Sequence, residues 1–395
     1  MPVAGKIREA MERSSWIRKM FEEGARLKAQ FGNDAVYDFS LGNPNLDPPE
    51  AYREVIRRLA ANDAPGSHGY MPNAGYPETR EAVARRLSRE QEASVEGRHV
   101  VMTVGAGGAL NVVFRAILEP GDEVVVPRPY FVEYDFYLDN HQGVLRSVPT
   151  TAEFDLDLAA LADAITPRTR AVLVNSPNNP TGKVYSRRDL KGLADLLERK
   201  SREHGRILYL ISDEPYRRIV YDGIEVPAIF PLFPHAFVCA SHSKDLSLPG
   251  ERIGYVAVNP VATQADTVVG ALTLTNRILG FVNAPALMQR AVADLQEVTV
   301  DMSLYASNRD RLYDALTDAG YACHKPEGAF YLFPRSPIPD DVAFVRELQK
   351  ERILAVPGTG FGGPGHFRLA YCCSAETVER SLPGFRRTLE RITHQ

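Results

Sequence analysis

The chain has 395 residues, of which 44% are hydrophobic and 24% charged, a composition typical of a folded protein with more than one structural unit. With 46 basic and 50 acidic residues the formal net charge is −4, so no overall positive field favours nucleic acid or anionic lipid. No apolar run approaches the roughly 18 residues of a membrane span, and the first residues lack a secretory pattern. We therefore expect a cytoplasmic protein with neither nucleic-acid nor membrane partners.

The cysteines argue against a disulfide framework and against a zinc site. Cys239 and Cys323 stand alone, Cys372 and Cys373 are adjacent, and no Cys-x-x-Cys pair occurs. The sequence predicts reduced thiols and no bound metal.

The N-terminal region is predicted to be an arm that packs onto a larger body. Apolar residues recur at helical spacing between charged ones over residues 7–28, which predicts an amphipathic helix. Residues 36–41 are predicted to be extended, and they lead into a proline-rich loop at Pro44, Pro48 and Pro49.

The middle of the chain alternates short β-branched runs with helical patterns. Helices are predicted at residues 107–118 and 190–203, and strands at 100–104, 123–126, 144–148, 171–174, 207–211, 237–240 and 253–258. Because these strands lack polar alternation, we expect them to be buried on both faces of a mostly parallel sheet. After about residue 286, longer helical patterns with strands at 329–333, 353–356 and 367–370 predict a smaller α+β unit.

One glycine-rich motif resembles a dinucleotide fingerprint without its context. Residues 358–363 fit G-x-G-x-x-G after an apolar strand, but Pro364 and Gly365 follow where a helix is required. We therefore interpret this segment as a loop between strands.

Several polar motifs directly follow predicted strands. Asn179-Pro180-Thr181-Gly182 follows one strand, Asp213-Glu214-Pro215-Tyr216 the next, and Ser241-His242-Ser243-Lys244 a third, with Arg252 eight residues beyond the lysine. Each alone has an ordinary interpretation as a turn, a helix cap or a surface lysine. Together they predict one crevice, because ligands collect at the carboxyl ends of parallel strands.

This ordered set, with Arg368 near the end of the chain, resembles the fold-type I pyridoxal-phosphate (PLP) aminotransferases of class I/II, the aspartate aminotransferase superfamily. The resemblance extends from Gly42 to Arg368 and implies an α/β fold. It implies a large PLP-binding domain at residues 48–279 and a smaller discontinuous α+β domain at residues 1–47 and 280–395. It also implies a homodimer with shared active sites.

The resemblance assigns the catalytic roles. Lys244 matches the lysine that forms a Schiff base with PLP and moves the substrate proton, and Asp213 matches the carboxylate that faces the pyridine nitrogen. Tyr216 and Asn179 match the hydrogen-bond donors to the phenolic oxygen of the ring.

The remaining cofactor contacts follow in the same way. The phosphate loop corresponds to Gly105, Ala106, Gly107 and Gly108 at the start of a predicted helix, where backbone N–H groups favour an anion. Ser241, Ser243 and Arg252 match further phosphate ligands, Tyr70 matches a tyrosine that reaches the phosphate across the dimer interface, and Phe131 matches the aromatic side chain that stacks on the ring.

Substrate binding is assigned by the resemblance to four residues. Arg368, with Gly42 and Asn179, corresponds to the site for the substrate α-carboxylate, and Arg277 lies near an arginine that holds a distal carboxylate from the partner subunit. The chain departs from the family at Gly107, where some aspartate-using relatives carry lysine, and at His242, where an aromatic residue is more frequent.

The function implied is amino-group transfer between an L-amino acid and a 2-oxo acid by a ping-pong mechanism, with aspartate or glutamate as candidate substrates. Two alternatives are a PLP-dependent carbon–sulfur β-lyase on the same fold and a non-catalytic PLP-binding regulator. The region before Gly42 holds one predicted helix, too little for a supported DNA-binding unit.

Overall fold

The computed structural model of the chain describes residues 2–12, 16–62 and 64–393. The helices are α1 Gly5–Glu12, α2 Trp16–Phe31, α3 Glu50–Ala61, α4 Pro77–Glu90, α5 Gly105–Ile117, α6 Glu133–Asp139, α7 Leu158–Ala164, α8 Arg187–His204, α9 Ala265–Ile278, α10 Ala286–Ala293, α11 Ser303–Ala319, α12 Asp341–Lys350 and α13 Ala375–Thr393. The strands are β1 Tyr37–Asp38, β2 Val100–Thr103, β3 Glu123–Arg128, β4 Val144–Pro149, β5 Thr169–Asn175, β6 Tyr209–Asp213, β7 Ala236–Ser241, β8 Gly254–Val258, β9 Tyr331–Leu332, β10 Ile353–Leu354, β11 Val356–Pro357 and β12 Phe367–Ala370.

A seven-stranded sheet forms the centre of the molecule, in the order β2-β8-β7-β6-β5-β3-β4. Strand β8 runs antiparallel to β2 and β7, and the other neighbouring pairs are parallel. This confirms the predicted mixed, mostly parallel α/β sheet between helices. The carboxyl ends of β5, β6 and β7 therefore lie side by side at one edge.

Both faces of this sheet are covered by apolar layers. In β5, Val172 and Val174 belong to the layer packed with α4, α8 and α10, whereas Ala171 and Leu173 belong to the layer packed with α5, α6 and α9. Because successive side chains of a strand point to opposite faces, a strand buried on both sides needs the continuous β-branched and aliphatic run seen in the sequence.

A second apolar core joins the N-terminal arm to the C-terminal third of the chain. Met20 of α2 and Phe39 after β1 belong to the same cluster as residues of α11, α12 and α13. A small antiparallel sheet, β11-β12-β9, and the parallel pair β1-β10 complete this unit.

The structure differs from three local predictions. The helix predicted at residues 7–28 corresponds to α1 and α2, with residues 13–15 of the prediction outside the described residues. The strand predicted at 353–356 divides into β10 and β11, because Ile353 and Leu354 pair with β1 whereas Val356 and Pro357 pair with β12. Of residues 329–333, only Tyr331 and Leu332 pair as a strand.

The glycine-rich motif forms a 3-10 turn, Gly358–Phe361, and leads into β12 without an intervening helix. All four cysteines carry free thiols, with Cys239 and Cys372 buried. Within the described ranges, no helix combines the length and apolarity that crossing a membrane requires.

Candidate active site

A cavity of about 300 Å³ opens where the large sheet meets the small unit. Its walls come from the start of α5, the carboxyl ends of β5, β6 and β7, and strands β9 and β12. The residues that line it are Gly42, Ala106, Gly107, Leu110, Phe131, Tyr137, Asn175, Asn179, Asp213, Pro215, Tyr216, Ser241, Ser243, Lys244, Pro249, Arg252, Tyr331 and Arg368. The structure thus brings most of the sequence-predicted site residues to one place.

Lys244 projects into this cavity from the loop that follows β7. Its Nζ donates a hydrogen bond to the carbonyl oxygen of Gly42 at 2.8 Å. Burial lowers the pKa of the Lys244 amine to about 8, Cys372 opposes this shift, and the nearby Arg368 and Arg252 reinforce it. With this pKa the amine is neutral in roughly a tenth of molecules at pH 7 and in about half at pH 8, far more than for an exposed lysine, and the neutral amine is the form that acts as nucleophile or base.

Asp213 ends β6 with its carboxylate buried beneath the cavity. Its Oδ2 accepts a hydrogen bond from the hydroxyl of Tyr134 at 2.5 Å, whereas Oδ1 has no hydrogen-bond partner among the described residues. Burial raises the pKa of Asp213 to about 7, the Tyr134 hydroxyl counteracts this, and Glu214 adds to it. A buried, half-satisfied carboxylate of this kind is suited to accept a hydrogen bond from a ring N–H.

A hydrogen-bonded wall connects the strand ends. Asn179 lies after β5, where its N–H donates to Asn175 Oδ1 at 2.7 Å, and Asn175 Nδ2 donates to the carbonyl oxygen of Asp213 at 2.9 Å. The hydroxyl oxygens of Tyr216 and Tyr331 are 2.8 Å apart. Hydrogen bonds of the Asn175 side-chain amide therefore hold the carboxyl ends of β5 and β6 in one fixed arrangement.

Arg368 lies on β12 and is almost completely buried. Its Nη1 donates to Asn179 Oδ1 at 3.0 Å and its Nη2 to Ser40 O at 2.7 Å, while Nε has no hydrogen-bond partner among the described residues. The guanidinium carbon lies 4.6 Å from the ring centroids of both Tyr331 and Phe361. Two aromatic rings thus fix the plane of a cation whose fork matches a carboxylate.

The start of α5 forms an anion cradle. Gly105 has a φ of +79°, and a Cβ there would lie 2.7 Å from Arg252 Nη2, so glycine is required for both backbone and space. Arg252 Nη1 donates to Pro249 O at 2.8 Å, which holds the guanidinium beside the helix start. The free N–H groups at a helix N-terminus and a fixed arginine together suit a phosphate.

Of the remaining predicted residues, some line the cavity and others lie outside it. Phe131 lines the cavity, and its ring is edge-on to that of Tyr134 with centroids 5.6 Å apart. Gly42 also lines it and leaves room for Tyr331, whose hydroxyl would clash with a Cβ at that position. Gly108 is buried in α5 and does not line the cavity. Tyr70, 93% exposed, and Arg277, exposed near the end of α9, also lie outside it.

Tyr134, Asn175 and Tyr331 make polar contacts in this site although the sequence did not single them out. Tyr134 lies three residues after Phe131, Asn175 directly follows the strand predicted at 171–174, and Tyr331 lies in the strand predicted at 329–333. The run at residues 129–134 offered a signal for Tyr134, since a buried tyrosine needs a partner for its hydroxyl. The other two depend on which residue of a strand meets the cavity, which spacing alone does not reveal.

Comparison with known proteins settles the family. The sequence model described as aminotransferase class I and II matches residues 34–383. This chain belongs to that family. An aminotransferase structure from Eubacterium rectale shares 40% identity with it and a TM-score of 0.96, over 99% of both chains.

Related proteins with more specific names are also similar. An aspartate/prephenate aminotransferase of Thermus thermophilus is 38% identical over 358 residues, which cover 89% of this chain and 90% of that protein. The structure of an aspartate aminotransferase from Thermus thermophilus with maleate matches at 33% identity and a TM-score of 0.87, over 98% of this chain and 100% of that one. The chain is accordingly a PLP-dependent aminotransferase of fold type I, and the β-lyase alternative is not favoured.

The geometry fits the cofactor of the family. The unpaired Asp213 Oδ1 provides an acceptor, the Gly105–Arg252 cradle provides an anion site, and the Lys244 amine lies in the same cavity. These are the groups that a protonated pyridine ring, a phosphate and an aldehyde each require.

Proposed function

We propose that this aminotransferase moves an amino group between an L-amino acid and a 2-oxo acid in two half-reactions, in a ping-pong sequence centred on Lys244. The observation that carries this proposal is the convergence of the Lys244 amine, the Asp213 carboxylate and the Arg368 guanidinium on one cavity. PLP bound there supplies an electron sink for the negative charge that develops at the substrate Cα.

The residues that would hold PLP divide by chemistry. Asp213 accepts from the ring nitrogen, Asn179 and Tyr216 donate to the phenolic oxygen, and Phe131 covers the face of the ring. The phosphate is assigned to the N–H groups of Gly105, Ala106, Gly107 and Gly108 and to the side chains of Ser241, Ser243 and Arg252. This assignment is supported by the shared cavity, which is lined by Ala106, Gly107, Ser241, Ser243 and Arg252. Gly105 and Gly108 do not line it, and they are included because they lie in the first turn of α5.

Lys244 has two tasks in this account. Its amine would hold the cofactor covalently. Once the substrate amine has displaced it, the same amine would accept the proton from the substrate Cα and donate it to the C4′ carbon of the cofactor. A lysine with a pKa near 8 is suited to both, because proton transfer is most efficient when the pKa of the base lies near the working pH.

Arg368 would bind the substrate α-carboxylate. Asn179 and Ser40 hold two of its nitrogens, and Tyr331 and Phe361 fix its plane, so the guanidinium is oriented before substrate arrives. Preorganisation of this kind lowers the entropy that binding must overcome. The backbone of Gly42 would approach the same carboxylate.

Dicarboxylic amino acids, aspartate or glutamate, are the substrate class we favour, and the names of the relatives support aspartate. Within this chain, Gly107 provides no cation beside the cavity, so a distal carboxylate needs another partner. We assign that task to Arg277 of a second subunit.

A homodimer is supported by the surface around Tyr70 and α9. Tyr70 is 93% exposed, and Leu274 and Ile278 of α9 are also exposed although they are large and apolar. Leu274 and Ile278 are four residues apart and therefore share one face of α9, and an exposed apolar face of this kind favours an interface. In the dimer we propose, Tyr70 contacts the phosphate held by the partner subunit. Sedimentation at micromolar concentration should give twice the chain mass, and a monomer would contradict this part of the proposal.

We further propose that residues 48–279 form a large domain and residues 1–47 with 280–395 a small one. The core shared by the N-terminal arm with α11, α12 and α13 supports the small domain, whereas α10 packs on the large sheet. Free thiols also support a cytoplasmic location, which fractionation of the source cells tests.

The activity is tested by incubating the PLP-loaded protein with a panel of amino acids and 2-oxoglutarate. We expect glutamate together with the matching 2-oxo acid, in equal amounts, and the fastest turnover with aspartate. Release of ammonia and pyruvate from cysteine-type substrates without an acceptor would instead indicate the lyase.

A further inference from the structure

The loop that carries Lys244 also carries two buried ionisable side chains that do not line the cavity, His242 and Asp245. His242 is fully buried, and its backbone N–H donates to the carbonyl oxygen of Ile253 at 3.1 Å. Its ring lies against Tyr255, with centroids 6.2 Å apart, and its Nδ1 is 3.4 Å from Asp245 Oδ2. Both side chains are therefore directed into the protein interior, whereas the Lys244 side chain is directed into the cavity.

Two arginines from other elements approach the same oxygen of Asp245. Arg86 of α4 places Nη1 at 3.7 Å from Oδ2, and Arg218, which follows β6, places Nη1 at 3.8 Å. Burial alone would raise the pKa of Asp245, but His242, Arg86 and Arg218 together hold it below its ordinary value. The carboxylate thus remains ionised in a buried position.

The two arginines are themselves anchored. Arg86 Nη2 donates to the Tyr255 hydroxyl at 2.7 Å, and Arg86 Nε lies 3.6 Å from Glu90. Arg218 Nη1 donates to the backbone oxygen of Val298 at 2.8 Å. Asp245 is therefore held from a side of the loop that is separate from the cavity.

This cluster is costly for the fold. Within the described part of the chain, both ring nitrogens of His242, Oδ1 of Asp245, and Nε and Nη1 of Arg86 have no hydrogen-bond partner. Buried charges at these separations lack the short contacts that normally compensate desolvation, and apolar packing is often at least as stable. Departures from good packing of this kind are expected beside functional groups.

The Lys244 amine faces a different set of groups. Arg368 and Arg252, which line the cavity, lower the pKa of this amine, and Cys372 raises it. Its Nζ lies 6.0 Å from the centroid of the Tyr216 ring. Among the described residues, no carboxylate lies within ion-pair distance of that amine, although Asp245 is its immediate neighbour in sequence.

We propose that His242 and Asp245 are positioning residues, which, with Arg86 and Arg218, keep the neighbouring carboxylate away from the Lys244 amine and leave that amine directed into the cavity. The inference rests on the proposed role of Lys244. A released carboxylate next to Lys244 would stabilise its protonated form, so the cluster keeps the lysine reactive at neutral pH.

The test is a pH titration of the visible absorbance band of the PLP-loaded protein, which reports protonation at the bond between Lys244 and the cofactor. His242→Phe removes the imidazole but keeps an aromatic ring, and we expect the midpoint to rise by about 0.5 to 1 unit, a three- to tenfold change in proton affinity. His242→Gln keeps a polar side chain that can contact Asp245 Oδ2, and it should titrate as the parent does. The double variant His242→Phe with Asp245→Asn should return to the parent midpoint.

Arg218→Met provides a second route that leaves position 242 unchanged, and its midpoint should shift in the same direction. An unchanged midpoint in His242→Phe overturns the proposal, as does an equal shift in His242→Gln. If His242→Phe does not fold, an unchanged midpoint in Arg218→Met overturns it. A PLP-loaded parent in which borohydride reduction leaves no cofactor adduct on Lys244 would instead refute the role of Lys244 itself, and the two failures are therefore distinguishable.

Discussion

The hydroxyl of Tyr134 donates to Asp213 Oδ2 at 2.5 Å, and it is the hydrogen bond that opposes the effect of burial on this carboxylate. Without this bond the pKa of Asp213 would rise further, and more of the carboxyl would be neutral at working pH. Because a neutral acid stabilises a protonated pyridine ring poorly, Tyr134→Phe should lower kcat about tenfold, in line with the loss of a hydrogen bond to a charged group.

The matched control for this prediction is Tyr130→Phe. Tyr130 donates to Asp135 at 3.1 Å and does not line the cavity, so the same deletion there should leave kcat within about twofold of the parent. Equal kcat values in the two variants would show that the Tyr134 hydroxyl does not act on Asp213.

The cofactor-free protein should become more stable when Asp213 is replaced by asparagine. Since the pKa of Asp213 is raised to about 7, the folded state binds more protons than the unfolded state between about pH 4 and pH 7, and stability falls as the pH rises through this window. Above about pH 7, the ionised Asp213 lowers the free energy of unfolding by its full effect, about 4 kcal/mol.

Thermal unfolding of cofactor-free Asp213→Asn and parent should therefore diverge with pH. We expect a small difference near about pH 4 and a clear gain for the variant near about pH 8, while its transaminase activity is lost. A stability difference that does not change with pH would contradict the raised pKa.

Arg368→Lys should impair all amino-acid substrates alike, because the α-carboxylate is common to them. Lysine cannot replace a planar fork held by Asn179 and Ser40, and we expect kcat/KM to fall by about 10- to 100-fold for alanine and for glutamate. Arg335→Lys, an exposed arginine outside the cavity, is the control. A loss confined to one substrate would indicate that Arg368 contacts the substrate side chain instead of its α-carboxylate.

Arg277→Ala, in contrast, is predicted to impair mainly the turnover of dicarboxylic substrates. Arg277 is exposed in the single chain, and we assign it to the distal carboxylate in the partner's site, so glutamate and aspartate should lose more kcat/KM than alanine, by about tenfold. Arg202→Ala, an exposed arginine on α8, serves as the control. Equal losses for alanine and glutamate would remove Arg277 from substrate recognition.

The sequence was most informative where local pattern and burial agree. Residues 171–174 form a continuous aliphatic run, and β5 is indeed buried on both faces, so both the strand and the parallel sheet could be predicted. The position of Lys244 after β7 followed from the same logic, since motifs at strand ends meet at one edge of the sheet.

Other features depend on contacts distant in the sequence. Tyr134 and Asp213 are 79 residues apart, and their hydrogen bond arises from the packing of α6 on the sheet. The division of residues 353–357 into two strands depends on two different partners, β1 and β12, which no local periodicity encodes. His242 stood out in the sequence only as a departure from the family, and its contact with Asp245 required the fold.

The central claim is that Lys244 is the residue that binds the cofactor covalently. Borohydride reduction of the PLP-loaded protein, followed by digestion and mass spectrometry, fixes the cofactor on the lysine to which it is attached. The account predicts the added phosphopyridoxyl mass on the peptide that contains Lys244, with none on that peptide in Lys244→Ala. A reduced adduct on another lysine, or none on the parent protein, would contradict it.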